Sequence, residues 1–156
     1  MLKLKPATLT LSLVLFSLAT TSLQADSKSP EEAAIEYRQS AFKMIKHHFG
    51  PMAGMVKGDI DYDAETFTKN AEAVAALSHF PINGFIDGTF GVDDTDAKAD
   101  IADNKEDFNK KMETFQVKAA DLAKTAESGD MGEIRPAFGA VAKSCKACHD
   151  SYREKN

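Results

Sequence analysis

The 156-residue chain has no tryptophan, only three tyrosines and only two cysteines. Those two, Cys145 and Cys148, lie three residues apart near the C-terminus. No disulfide can therefore tie distant segments together, and the fold has to rest on a packed core. Long apolar runs are missing as well. The one stretch of note, Leu9 to Leu18, falls well short of the roughly 20 residues a membrane-spanning helix needs. Positive charge is in deficit: 19 Lys and Arg stand against 24 Asp and Glu, a formal net charge of −5. Such an acidic chain is a poor partner for nucleic acid and for anionic membrane surfaces. Beyond residue 25 no convincing alternation of apolar and polar residues appears, which leaves no pattern for a sheet. Internal repeats and low-complexity tracts are absent too.

What is present begins with a leader. Lys3 and Lys5 form a basic start, Leu9 to Leu18 an apolar centre, and Ser22-Leu23-Gln24-Ala25 a mostly small or polar exit. That is the layout of a secretory signal peptide over residues 1–25, with cleavage after Ala25. Residues 26–156 are then the mature domain, with 17 basic against 24 acidic residues and a net charge of −7. Its length suffices for one compact core. Export makes the periplasm the expected location, with no membrane association of the mature form.

Four amphipathic helices can be read in this domain. The first opens at Ser29-Pro30-Glu31-Glu32, a serine cap answered by a glutamate three residues later. Its apolar stripe runs Ile35, Phe42, Ile45, Phe49, Met52 and Val56; Gly50-Pro51 should kink or split it, and Gly58 ends it. The second starts at Asp63 and carries Phe67, Ala71, Val74 and Leu77. The third, from about Ala97 to Ala126, carries Ile101, Phe108, Met112, Phe115, Ala119 and Leu122. The fourth opens with Asp130 as cap and Glu133 answering it, then carries Ile134, Phe138, Val141, Cys145, Cys148 and Tyr152. The expected fold is all-α, an antiparallel up-down-up-down four-helix bundle. The long stretch from His79 to Thr95, with Pro81, Gly84, Gly88 and Gly91, is the exception to short connections, and such loops usually serve function.

Cys145-Lys146-Ala147-Cys148-His149 matches the pattern for covalent attachment of haem c. On a helix, residues three and four apart share a face. Both thiols can then add to the haem vinyl groups while the His149 imidazole reaches the iron from the same side. A redox CxxC pair belongs at a helix start after a strand, and this one sits late in a helix with no sheet. A zinc site would need a fourth ligand such as His47, His48 or His79. A disulfide between residues three apart on a helix would serve little purpose. Arg38 interrupts the apolar stripe of the first helix, where a cation is costly unless an anion meets it. Haem propionates are such anions, and Gln39 beside it can donate to the same groups. The competing reading has Arg38 snorkelling to solvent.

Together these residues resemble the cytochrome c′ family, the high-spin class II cytochromes c. The resemblance covers essentially the whole mature domain. It includes Tyr37-Arg38-Gln39-Ser40-Ala41, His48-Phe49-Gly50, Val56-Lys57-Gly58, Ala137-Phe138-Gly139, Ser144 to Asp150, and Tyr152-Arg153. It implies a four-helix bundle holding one covalent haem c near the C-terminal helix. It further implies a five-coordinate iron with His149 as its only protein ligand and Phe42 over the distal face. A polar loop residue, best matched by Asp96, would approach the haem edge, although a short insertion near Val92 to Thr95 blurs that match and Asp96 could equally cap the third helix. Arg153, one turn after His149, would cover the proximal face or suit the helix dipole. A homodimer is implied as well, with Met44, Met55 and Ala53 as spare apolar groups on the first helix.

The function expected on this basis is binding of nitric oxide and carbon monoxide at an apolar distal face, with electron transfer or nitric oxide handling. A plain low-spin electron carrier with a sixth protein ligand is the alternative. Met44 is a poor candidate for that ligand, since it stands two positions from Phe42 and so is turned about 200° away. Enzyme activity of the peroxidase type is not expected, because Phe42 is no acid–base group and no histidine lies one turn from it.

Overall fold

A computed structural model describes residues 28–155, so the expected leader lies outside the described residues. The described residues form four α-helices: α1 (Pro30–Lys57), α2 (Ala64–Leu77), α3 (Lys105–Ala126) and α4 (Met131–Tyr152). Two single 3₁₀ turns, Pro81–Gly84 and Ala99–Ile101, punctuate the long α2–α3 connection. Among the described residues the only β-type pairing is an isolated antiparallel bridge between Ala97 and Arg153. The chain is thus an antiparallel up-down-up-down four-helix bundle. Each helix packs on the next in sequence, whereas α1 and α4 barely touch. That separation makes room for a site between them.

Local signals explain most helix ends. Ser29 Oγ accepts from Glu32 N–H at 3.1 Å and the Glu32 carboxylate accepts from Ser29 N–H at 2.9 Å, a reciprocal cap. Asp63 Oδ1 accepts from Thr66 N–H at 2.7 Å to start α2. Gly58 closes α1 in the left-handed conformation, φ 82°. Gly50-Pro51 does not split α1, which runs as one element to Lys57. Proline removes one backbone donor there, yet Met52 and Met55 just beyond it are 0% and 6% exposed. Their burial holds the segment on the bundle. It also withdraws Met55 from any dimer surface.

Two other expectations need correction. The third helix begins at Lys105, not near Ala97. The backbone of 97–104 is committed elsewhere: Lys98 N–H donates to Tyr152 O at 3.0 Å, and Gly91 N–H to Ala97 O at 2.7 Å. Asp96 accordingly caps no helix; Asn104 occupies that position. At α4, Asp130 caps through Gly132 N–H at 2.7 Å, while Glu133 N–H donates to the Asp130 backbone carbonyl at 3.1 Å. The reciprocal pair expected between Asp130 and Glu133 is replaced by this tighter turn.

The core has two parts. The larger one joins Phe67, Val74, Leu122, Ile134 and Val141, each fully buried, with Phe138 stacked on Phe49 at a centroid distance of 4.3 Å. Each such side chain contributes about 1.5–3 kcal/mol on burial. A smaller cluster of Ile101, Phe108, Met112 and Tyr152 closes the end near the α2–α3 connection, and Phe42 and Cys148 pack against it.

Candidate functional site

Between α1 and α4 lies a cavity of about 840 Å³. Its wall is mostly apolar, with Phe42, Ile45 and Phe49 from α1, Phe108, Met112 and Phe115 from α3, and Phe85 from the connection. Cofactor pockets are commonly roughly 300–1,000 Å³, mainly apolar and furnished with a few placed polar groups.

α4 brings the chemistry. Cys145, Cys148 and His149 all line the cavity, as their three- and four-residue spacing requires. Neither cysteine is in a disulfide, and both are half-buried. Burial pushes the Cys145 thiol up, and carries Cys148 to about 11, its own surroundings outweighing the nearby Lys111 charge. A redox CxxC pair has its thiol pKa lowered instead. His149 stands at the open edge. Partial desolvation, and then the neighbouring Arg153 charge, hold its imidazole below the ordinary value, so its ring nitrogen is available as a neutral donor near pH 7. Among the described residues no group of three or more His, Cys, Asp and Glu side chains could hold a metal ion by itself. His48 turns to Asn70, Nδ1 to Oδ1 at 2.9 Å, and neither it nor His47 lines the cavity. Two thiols and one imidazole on one helix face, against an apolar hollow of this size, suit a flat macrocycle carrying a metal.

Arg38 is 2% exposed, which rules out the snorkelling reading. Its Nη1 donates to Gly84 O at 2.7 Å and Thr89 Oγ1 at 2.6 Å, and its Nη2 to Thr89 O at 2.5 Å and Thr95 Oγ1 at 2.9 Å. The guanidinium also sits 4.5 Å from the Phe85 ring centroid. All of these partners are neutral, so the cation is held by dipoles and a ring face. Gln39 lines the cavity too, while its Nε2 donates to Asp94 O at 2.9 Å. The two α1 side chains thus bind the loop 84–95 as well as edging the cavity.

Phe42 is half-buried in the wall, edge-on to Phe85 at 6.4 Å. Met44 is 47% exposed and does not line the cavity. Asp96 and Arg153 both do, and they pair with each other, Arg153 Nη2 to Asp96 Oδ2 at 3.0 Å. The sequence reading missed Phe85, Thr89 and Thr95, which sit in a connection with no periodic pattern. It assigned Phe108, Met112 and Phe115 to the core alone. The helical stripe that marks them as buried does not say what they are buried against.

The cytochrome C′ family model matches residues 33–153. The cytochrome c′ of Halomonas halodenitrificans is 46% identical over 127 residues, covering 78% of this chain and 96% of that protein. The structure of cytochrome c prime from Shewanella frigidimarina superposes with a TM-score of 0.79 at 46% identity, over 83% of this chain and all of that one. The nitric oxide complex of a leucine-to-alanine variant of the Alcaligenes xylosoxidans protein gives 0.76 at 40% identity over the same shares, and a carbon monoxide complex of another variant of that protein gives 0.75. These likenesses extend from the first helix through the thiol–imidazole segment, and the chain belongs to the cytochrome c′ family, which implies a c-type haem.

Proposed function

We propose that this is a periplasmic protein holding one covalently bound haem c, which binds nitric oxide and carbon monoxide and passes single electrons. The observation that carries the reading is the convergence of Cys145, Cys148 and His149 on one apolar cavity that Phe42 also walls. Cys145 and Cys148 would form the thioether links, and His149 would be the protein ligand of a five-coordinate iron. When bound, the haem supplies an iron that changes valence and accepts diatomic ligands. The remaining chemistry belongs to the chain.

The aromatic part of the wall, Phe42 with Phe49, Phe85 and Phe108, offers little to polarise a bound gas. Phe42 has no donor, and Arg38, though buried in the wall, directs four N–H groups to loop oxygens. Bound dioxygen gains more from a hydrogen-bond donor than nitric oxide or carbon monoxide does, so this wall favours the latter two. Among the described residues no histidine other than His149 lines the cavity, which leaves a peroxidase without an imidazole acid–base partner there. The uncompensated charge of Arg38 and the amide of Gln39 would meet the propionates, with Asp96 at the haem edge and Arg153 over the proximal side. Tyr37 and Met44, 41% and 47% exposed on α1, supply apolar surface for a homodimer.

A low-spin carrier would need a sixth ligand from the lining, where Met112 is the one methionine among the described residues. The deciding experiment is a haem stain on a denaturing gel of protein matured with a haem-attachment system, joined to absorption spectra with and without carbon monoxide. Stain retained by the chain, weakened in Cys148→Ser, and a high-spin spectrum that shifts with carbon monoxide are expected. An unstained band sinks covalent attachment; a low-spin spectrum indifferent to carbon monoxide sinks the gas-binding reading in favour of the carrier.

A further inference from the structure

The charge around the cavity does not follow the charge of the chain. Six of the chain's 19 basic residues line it, Arg38, Lys43, Lys46, Lys111, Lys146 and Arg153, against two of its 24 acidic residues, Asp96 and Asp150. Lys43 and Lys46 stand three residues apart, and four residues beyond Gln39 and Phe42 respectively, so α1 presents the two lysines on the face that walls the cavity. Lys146 of α4 and Arg153 just past its end also line it, and Lys111 comes from α3. Lys43, Lys46, Lys146 and Arg153 are exposed, and Lys111 is half-buried. Ion pairs temper this ring: Arg153 with Asp96 at 3.0 Å, Lys146 with Asp150 at 2.5 Å, and Lys111 with Asp107 at 3.5 Å. The pairs are largely surface ones, and exposed pairs keep their ammonium and guanidinium groups within reach of a third charge. A formal charge of −5 overall with a basic rim around one opening is a strong charge asymmetry.

We propose that this rim is the docking surface for an acidic electron-transfer protein, which meets the haem at the mouth of the cavity. The inference rests on the haem reading above and adds the partner's chemistry to it. At long range the net negative charge repels an acidic partner; at short range the basic rim attracts it, so productive encounters select the one orientation that brings the partner's redox centre to this opening. Complementary patches of this kind govern encounter rate and register more than affinity. The two propionates of a bound haem would weaken the rim without reversing it, since the six cations still exceed Asp96, Asp107, Asp150 and the propionates by one charge.

The test uses the ferrous, haem-loaded protein and hexacyanoferrate(III), a trianion that takes one electron and becomes hexacyanoferrate(II) as the iron becomes ferric. Stopped-flow rates are followed as salt rises from about 10 to about 150 mM, over which the Debye length falls from about 30 to about 8 Å. If the rim controls the encounter, the rate falls at least about threefold with salt. Lys43→Glu/Lys46→Glu, both exposed positions on a long helix, then lowers the low-salt rate about tenfold and reverses the slope. If the net charge controls it, the wild-type rate climbs with salt and charge reversal changes little, which overturns the proposal. Poly-L-glutamate added to the ¹⁵N-labelled carbon monoxide complex provides a readout without electron transfer. Amide shifts confined to Lys43, Lys46, Lys146 and their neighbours support the surface; shifts spread over α2 and α3, or none, overturn it. A chain without haem stain fails the haem reading alone, before either measurement begins.

Discussion

Asp96 and Arg153 fasten the long connection to the end of α4. The Asp96 carboxylate accepts from Arg153 Nη2 at 3.0 Å and Nε at 3.3 Å, while Glu154 N–H donates to the Asp96 carbonyl at 2.8 Å. With Lys98 N–H on Tyr152 O, two short backbone links flank the ion pair and hold Arg153 four residues beyond His149. The bulky end of α4 is thus positioned by a segment that lies some 57 residues earlier in the chain.

Asp96→Asn should loosen that fastening without unfolding the bundle. Both side chains are about half exposed, so the pair contributes only about 0.2–1 kcal/mol to stability. The visible effect should be local: faster hydrogen exchange at the Lys98 and Glu154 amides, with α2 unchanged. Equal protection in variant and wild type would show that the backbone links suffice by themselves.

Arg38 is expected to matter much more. Replacing it by Leu leaves Gly84 O and Thr89 O without their donors inside the protein, and each stranded acceptor costs about 1–3 kcal/mol. Gly84 has no room to adapt, since a Cβ there would lie 2.5 Å from Ala34 O and 2.7 Å from Arg38 Cβ. Denaturant unfolding of Arg38→Leu should show a loss of about 2–5 kcal/mol. Its reduction potential should also drop, because a cation near the propionates favours the ferrous state. Lost stability with an unchanged potential would make Arg38 a loop anchor and nothing more.

How much of this was legible beforehand follows from where each signal lives. The helices declared themselves through stripes such as Phe67, Ala71, Val74 and Leu77, and through caps such as Ser29 and Asp63, because these depend on neighbours within a few residues. The site cysteines and His149 were readable for the same reason. The start of α3 was misread because Lys98 satisfies its backbone through Tyr152, a contact no local pattern encodes. Arg38 was legible as an anomaly, a cation in an apolar stripe, but not as the hub of the loop. Its partners Thr89 and Thr95 lie more than 50 residues away in an irregular segment.

Alkaline stability should report on Tyr152. Its hydroxyl donates to Asp107 Oδ2 at 2.6 Å, and burial, then this bond and the Asp107 charge, push the phenol up to about 12. An unfolded tyrosine ionises near pH 10. Between those values the folded state binds more protons, so the contribution is complete below about pH 10 and is lost as pH rises toward 12. Tyr152→Phe should be less stable by about 1 kcal/mol at pH 8, through loss of the hydrogen bond. Its stability should then fall less steeply than that of the wild type between pH 9 and about 12. Denaturant midpoints across that range check it, and parallel curves would remove Tyr152 as the source.

Phe42 separates gas binding from simple electron carriage. Its ring packs against both core clusters, touches Phe85 edge-on and lines the cavity with His149. If that ring stands over the sixth position of the iron, it obstructs without coordinating, and incoming carbon monoxide has to displace it. Phe42→Ala should then bind carbon monoxide faster than the wild type. The truncation costs at most about 3–5 kcal/mol, the range for a fully buried ring, and less here because Phe42 is only half-buried. Phe42→Met places a thioether where the ring was and should move the ferric spectrum toward low spin. Stopped-flow mixing of the ferrous variants with carbon monoxide gives the answer directly. A destabilised Phe42→Ala protein whose association rate matches the wild type would show that the ring packs between helices, away from the ligand's path, and would take Phe42 out of the gas site.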